Sequence, residues 1–143
     1  MINGFYGKYH FLSNFYESGF YMCEKFYASS EHAFQAYKAT NEEDHRLIQT
    51  QSSPRMAKKY GRLIKVREDW NDIKYDLMIE VVREKFKDGY LKLKLLETDN
   101  EILVETNYWH DNIWGDCTCE KCKDIKGKNW LGEILMKIRE ELK

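Results

Sequence analysis

Proline occurs once and glycine eight times in the 143 residues, which excludes collagen-like and low-complexity architectures. No stretch approaches the roughly 18 consecutive apolar residues of a membrane-spanning helix. The opening Met1-Ile2-Asn3-Gly4-Phe5-Tyr6-Gly7 has neither the basic segment nor the apolar segment of a secretory signal. A cytoplasmic protein without membrane association is expected. Charge of one sign is also lacking: 23 basic residues face 24 acidic ones, a net charge of −1, so no general grip on nucleic acid or anionic lipid is expected beyond local patches. Cysteine is scarce as well. Three of the four, Cys117, Cys119 and Cys122, form a tight set that in a reducing compartment reads as free thiols or metal ligands before disulfides.

Aromatic residues are plentiful. Four Trp, ten Tyr and seven Phe supply more rings than a small core needs, enough to wall a cleft or stack on a flat ligand. A chain of this length suits a single domain and buries roughly 68–70% of its unfolded surface, so a core and a cleft can coexist without disulfide staples. Residues 5–28 read as one or two short hairpins, with Glu17-Ser18-Gly19 between two aromatic stretches. Ser29 and Ser30 can cap a helix from Glu31 to about Thr40, and a second helix spans about Glu42 to Gln49. Ser53 as N-cap with Pro54 at the first helical position opens a third, which Gly61 can close. From Trp70, the positions Ile73, Leu77, Met78, Val81, Val82 and Phe86 describe an amphipathic helix of about five turns. Leu91–Leu96 favours a short helix, Glu101–Thr106 a strand, and the last helix runs from about Asn129 to Leu142. The expected architecture is α+β: a single compact, predominantly helical domain over residues 1–143 with short N-terminal antiparallel hairpin strands.

Two polar clusters sit among rings: Ser13-Asn14-Phe15 with Ser29-Ser30-Glu31-His32, and Trp109 through Asp116. Two carboxylates beside water-excluding rings suit glycosidic-bond chemistry, one stabilising an oxocarbenium-like centre and one activating water. Each residue also has a plainer role. Glu31 can be a first-turn glutamate, Asp111 can organise an Asx turn, and Trp70 can belong to the core. His32 and His110, taken singly, read as hydrogen-bonded structural residues.

Six ordered blocks carry a resemblance. Phe11-Leu12-Ser13-Asn14-Phe15, Ser29 through Lys38, Ser53-Pro54 with Gly61-Arg62, Arg67-Glu68-Asp69-Trp70 with Lys74, Asp111 through Gly115, and Gly127 through Gly132 with Leu135-Met136 and Arg139 together resemble the NADAR (YbiA-like) family across nearly the whole chain. The resemblance implies an N-glycosidase-type hydrolase of ribosides. Its substrates would be riboflavin-pathway intermediates, or ADP-ribosylated guanine and other NAD-derived ADP-ribosyl compounds, with modified DNA among the candidates. Carried over by motif, the catalytic positions fall on Glu31, Trp70 and Asp111. The substrate-binding candidates are Asn14, Phe15, Lys38, Arg62, Arg67, Trp114 and Asn129. No cofactor and no obligate protein partner is implied.

In this scheme Trp70 or Trp114 stacks on a planar base. One carboxylate deprotonates water while the other stabilises charge on the ribose, and a protonated carboxyl or Lys38 assists the leaving base. Arg62 and Arg67 can hold phosphate through fork-shaped hydrogen bonds, although cations near a helix C-terminus also complement its dipole. The segment Asp116–Lys126 departs from the family pattern. It reads as a reduced, flexible loop, with zinc on Cys117, Cys119, Cys122 and a fourth ligand from Cys23 or His110 as the lesser alternative; no metal is expected. Two other functions compete with the enzyme: a non-catalytic ADP-ribose or nucleotide-binding module, and a zinc-stabilised interaction protein.

Overall fold

The computed structural model describes residues 1–143. The chain divides into two units, Met1–Ser13 with Gly89–Lys143, and Asn14–Asp88. The expected α+β, mainly helical composition is borne out.

Asn14–Asp88 begins with an antiparallel hairpin, β1 (Phe20–Met22) and β2 (Lys25–Tyr27), in which Phe20 pairs with Tyr27 and Tyr21 with Phe26. Cys23 and Glu24 turn the hairpin in the left-handed region, at φ 51° and 67°. Four helices follow: α1 (Ser30–Ala36), α2 (Glu42–Gln49), α3 (Pro54–Gly61) and α4 (Trp70–Lys85). Their starts obey side-chain capping. Ser29 Oγ accepts from the His32 N–H, Asn41 Oδ1 from Asp44 and Ser53 Oγ from Met56, each bond contributing about 1 kcal/mol to its helix. On α4 the predicted stripe is buried at Leu77, Met78, Val81 and Val82. Helix α1 packs against α2, α3 and α4, and all seven of its residues are buried, including Ser30, Glu31, His32 and Gln35. Polar side chains on an enclosed helix are the exception that asks for an explanation.

The other unit opens with a strand, β3 (Ile2–Asn3), paired in parallel with β4 (Leu103–Val104). Helix α5 (Gly89–Leu96) precedes β4. The short strands β5 (Thr106–Asn107) and β6 (Asp116–Cys117) form a second parallel pair, and α6 (Trp130–Glu141) closes the chain. Along α6 the residues Leu131, Ile134, Leu135 and Ile138 are buried. A Cβ on Gly132 would lie 2.1 Å from the Leu103 carbonyl oxygen, so only glycine lets α6 approach β4 this closely.

Four expectations need correction. Residues Gly7–Leu12 form a 3-10 turn rather than a hairpin strand, because Gly4 and Gly7 at φ 88° and 59° bend the chain on either side of Phe5 and Tyr6. Helix α1 stops at Ala36 rather than near Thr40, since Ala39 leaves to bridge Val66 and the Lys38 carbonyl accepts from the Arg67 N–H. The strand expected over Glu101–Thr106 is split in two, β4 pairing with β3 and β5 with β6. The Asp116–Lys126 segment is built rather than loose: it contains β6 and a 3-10 turn at Glu120–Cys122.

Candidate active site

Glu31 lies in the first turn of α1, and its carboxylate Oε1 accepts from Gln35 Nε2 one turn on, at 2.8 Å. It is 7% exposed. The plainer reading, a first-turn glutamate, also fits this position, while the side-chain cap is Ser29. The Glu31 N–H donates to the Asn14 carbonyl, which ties Asn14 to the helix start. Asn14 Nδ2 donates to Met78 Sδ, while Asn14 Oδ1, Ser30 Oγ and Gln35 Oε1 are buried with no hydrogen-bond partner. Buried polar atoms without a partner are rare in folded proteins and mark this neighbourhood as unusual.

Trp70 opens α4 half-buried rather than in the core. Its ring meets Phe34 at 4.9 Å, tilted by 54°, and the Lys38 ammonium stands 5.7 Å from its centroid. Burial lowers the Lys38 pKa below its ordinary 10.5; the Glu31 carboxylate pulls it back up, and Arg62, Lys58 and Lys74 push it down again. Lys38 therefore sits beside one carboxylate and within a group of cations. Lys58 stands 5.8 Å over the Phe15 ring. Arg67 differs from the others: its fork is held by Asp69 at 2.6 and 3.0 Å, whereas Arg62 is exposed. Gly61 packs against Gln35, and a Cβ there would fall 2.0 Å from Gln35 Oε1.

His32 takes the plainer role. Its Nε2 donates to the Gln51 carbonyl and its Nδ1 pairs with Ser29 Oγ, both at 2.8 Å, so a fully buried ring locks α1 in place.

The second cluster is organised around backbone groups. Asp111 Oδ1 accepts from the N–H groups of Ile113 and Trp114 at 3.0 and 2.9 Å, the Asx turn anticipated for it. Asn107, which the sequence reading missed, holds the same loop three ways. Its Nδ2 donates to the Asp111 carbonyl at 2.7 Å, and its Oδ1 accepts from Trp109 and Asp111. Trp114 meets Trp130 edge-on at 5.5 Å. Asn129 spends both ends of its amide on β4 and its neighbour, accepting from Glu105 N–H and donating to the Leu103 carbonyl, so in this geometry it positions α6. Elsewhere in this unit a groove of about 850 Å³ is lined by Lys8, Tyr9, Lys94 and Glu97, none of them a predicted site residue. Lys85, buried at 2% exposure beside the Tyr16 and Phe86 rings, was also missed; nothing in the α4 pattern distinguishes it from a solvated lysine.

The sequence profile of the NADAR domain matches residues 4–143. The chain belongs to the NADAR family. Among its NADAR relatives is N-glycosidase Npun_R5314 of Nostoc punctiforme, 35% identical over 138 residues, with 92% of this chain and 85% of that protein covered. N-glycosidase YbiA of Escherichia coli is 37% identical over 121 residues, covering 82% and 72%. Riboflavin biosynthesis protein VVA0006 of Vibrio vulnificus is 36% identical over 137 residues, covering 92% of this chain and 35% of that protein. The NMR structure of E. coli YbiA superposes on 99% of this NADAR chain and 83% of its own, at a TM-score of 0.84 and 36% identity. The reaction class read from the sequence, an N-glycosidic bond hydrolase, agrees with these names. No helix of this NADAR protein is long and apolar enough to cross a membrane.

Proposed function

We propose that this protein, read as one NADAR domain over residues 1–143, hydrolyses the N-glycosidic bond of a small phosphorylated riboside in the cytoplasm. The observation that carries the reading is the buried Glu31 carboxylate. It is held by Gln35, and the neighbouring Lys38 cation is stacked on the half-buried Trp70. A carboxylate here, in its ionised form, can stabilise the positive charge that develops on the ribose as the base departs. Trp70 supplies a flat face for a planar base. Lys38, its pKa lowered by burial, is a better proton donor to the leaving nitrogen than a solvated lysine. Arg62, Lys58 and Lys74, which add to the positive field on Lys38, favour a phosphorylated sugar over a neutral one. Asp111 is assigned the second carboxylate role, orienting and deprotonating water, with Trp114 as a further stacking ring.

The test is hydrolysis followed by mass spectrometry, on a phosphorylated pyrimidine riboside and on DNA carrying ADP-ribosylated guanine, with wild-type, Glu31→Gln and Asp111→Asn proteins. Wild type is expected to release base from the phosphorylated riboside. Glu31→Gln should lower turnover by about 10³-fold, and Asp111→Asn by about 10²-fold, within the range seen for groups that act on the reacting atoms. Near-wild-type turnover in Glu31→Gln removes the scheme. Release of ADP-ribose from DNA alone keeps the carboxylates and replaces the substrate.

A further inference from the structure

The Cys117–Cys122 segment carries chemistry that riboside hydrolysis does not use. In sequence it follows His110 as H-x6-C-x-C-x2-C. In the fold, the His110 imidazole and the thiols of Cys117, Cys119 and Cys122 bring their ligand atoms within 4.8 Å of one another. His110 Nδ1 lies 3.4 Å from Cys122 Sγ and 3.3 Å from Cys119 Sγ. We propose that these four side chains form a structural zinc site that fastens the Asp111 loop to the cysteine segment.

The distances suit a tetrahedron. Zinc–sulfur bonds of about 2.3 Å and zinc–nitrogen bonds of about 2.0 Å set ligand edges near 3.8 Å between sulfurs and near 3.5 Å from nitrogen to sulfur. Two of the three nitrogen–sulfur edges are already there, and no other pair of ligand atoms is wider than 4.8 Å, so the cluster needs to close by little more than about 1 Å. Three thiolates and one imidazole fill four positions and leave none for substrate, which marks the site as structural rather than catalytic. Soft sulfur donors in this geometry select zinc over the hard divalent cations.

The surroundings are also those of a thiolate site. Backbone N–H groups of His110 and Cys119 point at Cys117 Sγ, at 3.3 and 3.5 Å, and Asn112 Nδ2 points at Cys122 Sγ at 3.4 Å. Donors aimed at sulfur stabilise its negative charge and orient the ligand. Asn112 Oδ1 meanwhile accepts from the Cys117 N–H, so one side chain spans both halves of the cluster. Cys117 and Cys122 are buried and all four cysteines of the chain are free thiols. His110 is held at φ 71°, in the left-handed region that few non-glycine residues enter. Between the two fourth ligands that the sequence left open, the geometry chooses His110; Cys23 sits exposed at the hairpin turn of the other unit. On binding, the three thiols release their protons to solvent and His110 ligates as neutral imidazole, giving a complex of net charge −1.

The experiment is elemental analysis of the full-length protein purified under reduction, paired with cobalt(II) substitution. Wild type should hold about one zinc per chain, and its cobalt form should show thiolate charge-transfer and tetrahedral d–d absorption. Cys119→Ser, Cys122→Ser and His110→Ala should each lose most of the zinc. Cys23→Ser should keep it, and His110→Cys should restore it with a fourth sulfur. Circular dichroism of each variant separates loss of metal from loss of fold, and in folded wild type a chelator should remove the zinc and lower Tm. The proposal is overturned if reduced, folded wild type neither contains zinc nor takes it up at micromolar concentration. It is overturned equally if Cys117, Cys119 and Cys122 prove to be paired in a disulfide, or if folded His110→Ala and Cys119→Ser both retain a full zinc.

Discussion

The two clusters that hold the predicted carboxylates are built by opposite means. Around Glu31 the chain is regular: a capped helix presents side chains at one-turn spacing, and the functional group is aimed by another side chain, Gln35. Around Asp111 the chain is irregular, and side chains are used up fixing backbone. Asn107, Asn112, Asp111 and Asn129 all spend polar atoms on N–H or carbonyl groups. The first arrangement leaves buried polar atoms without a partner. The second satisfies its own, and Asp111 Oδ1 is fixed by two backbone N–H groups.

Substitutions can sharpen the contrast. The largest effect should come from Asn107→Ala, which removes three hydrogen bonds from the Asp111 loop; at about 1 kcal/mol each, urea denaturation should show a loss near 3 kcal/mol. A loss below about 1 kcal/mol would mean that the loop is held by something else. Gly61→Ala should cost about 2 kcal/mol by overpacking against Gln35, and turnover should fall further than stability because Gln35 aims Glu31. Unchanged turnover would break the claim that side-chain aiming matters at Glu31. Ser29→Ala, removing the cap and the bond to His32 Nδ1, should cost about 2 kcal/mol by the same denaturation assay, less than Asn107→Ala despite its deeper burial.

The smallest effect is a pH dependence. His45, hydrogen-bonded to Tyr27 at 2.7 Å, has its pKa lowered below 6.5, first by burial and then by Lys25, with Glu42 opposing. The unfolded chain therefore binds more protons than the folded one between the lowered value and 6.5. The stability from His45 is complete above pH 6.5 and is lost as pH falls through that window. Thermal melts should show Tm falling from pH 7 towards pH 5, with a shallower fall in His45→Gln.

Much of the regular half was legible beforehand. Ser53-Pro54, the α4 stripe and the Glu31-to-Lys38 segment announce themselves through caps and period, and both Glu31 and Trp70 could be singled out before any fold was known. The irregular half was legible only as residue types. Nothing in the type of Asn107 says that it will hold a loop four residues on, because that loop has no period to read, and nothing in Gly61 says that Gln35 will lie against it, because that contact arises only when distant segments meet. The 3-10 turn at Gly7–Leu12 was misread for a related reason. Alternating aromatics suit either conformation, and the two left-handed glycines that decide between them reveal their φ only in the fold.

Helix α6 has no side-chain cap, and Asn129 before it is left-handed at φ 52°. Its first N–H groups are accepted instead by the loop: Trp130 donates to Ile113 and Leu131 to Trp114, while Lys128 and Asn129 donate to Asn112 and Gly115. The Asp111 loop is thus the end plate of a helix, and swinging it aside would strip acceptors from four consecutive amides. Hydrogen exchange along residues 128–131 should follow global unfolding rather than local breathing. Asp111 is mounted on the frame of its unit, so in the reaction proposed above any gating comes from a segment other than the Asp111 loop.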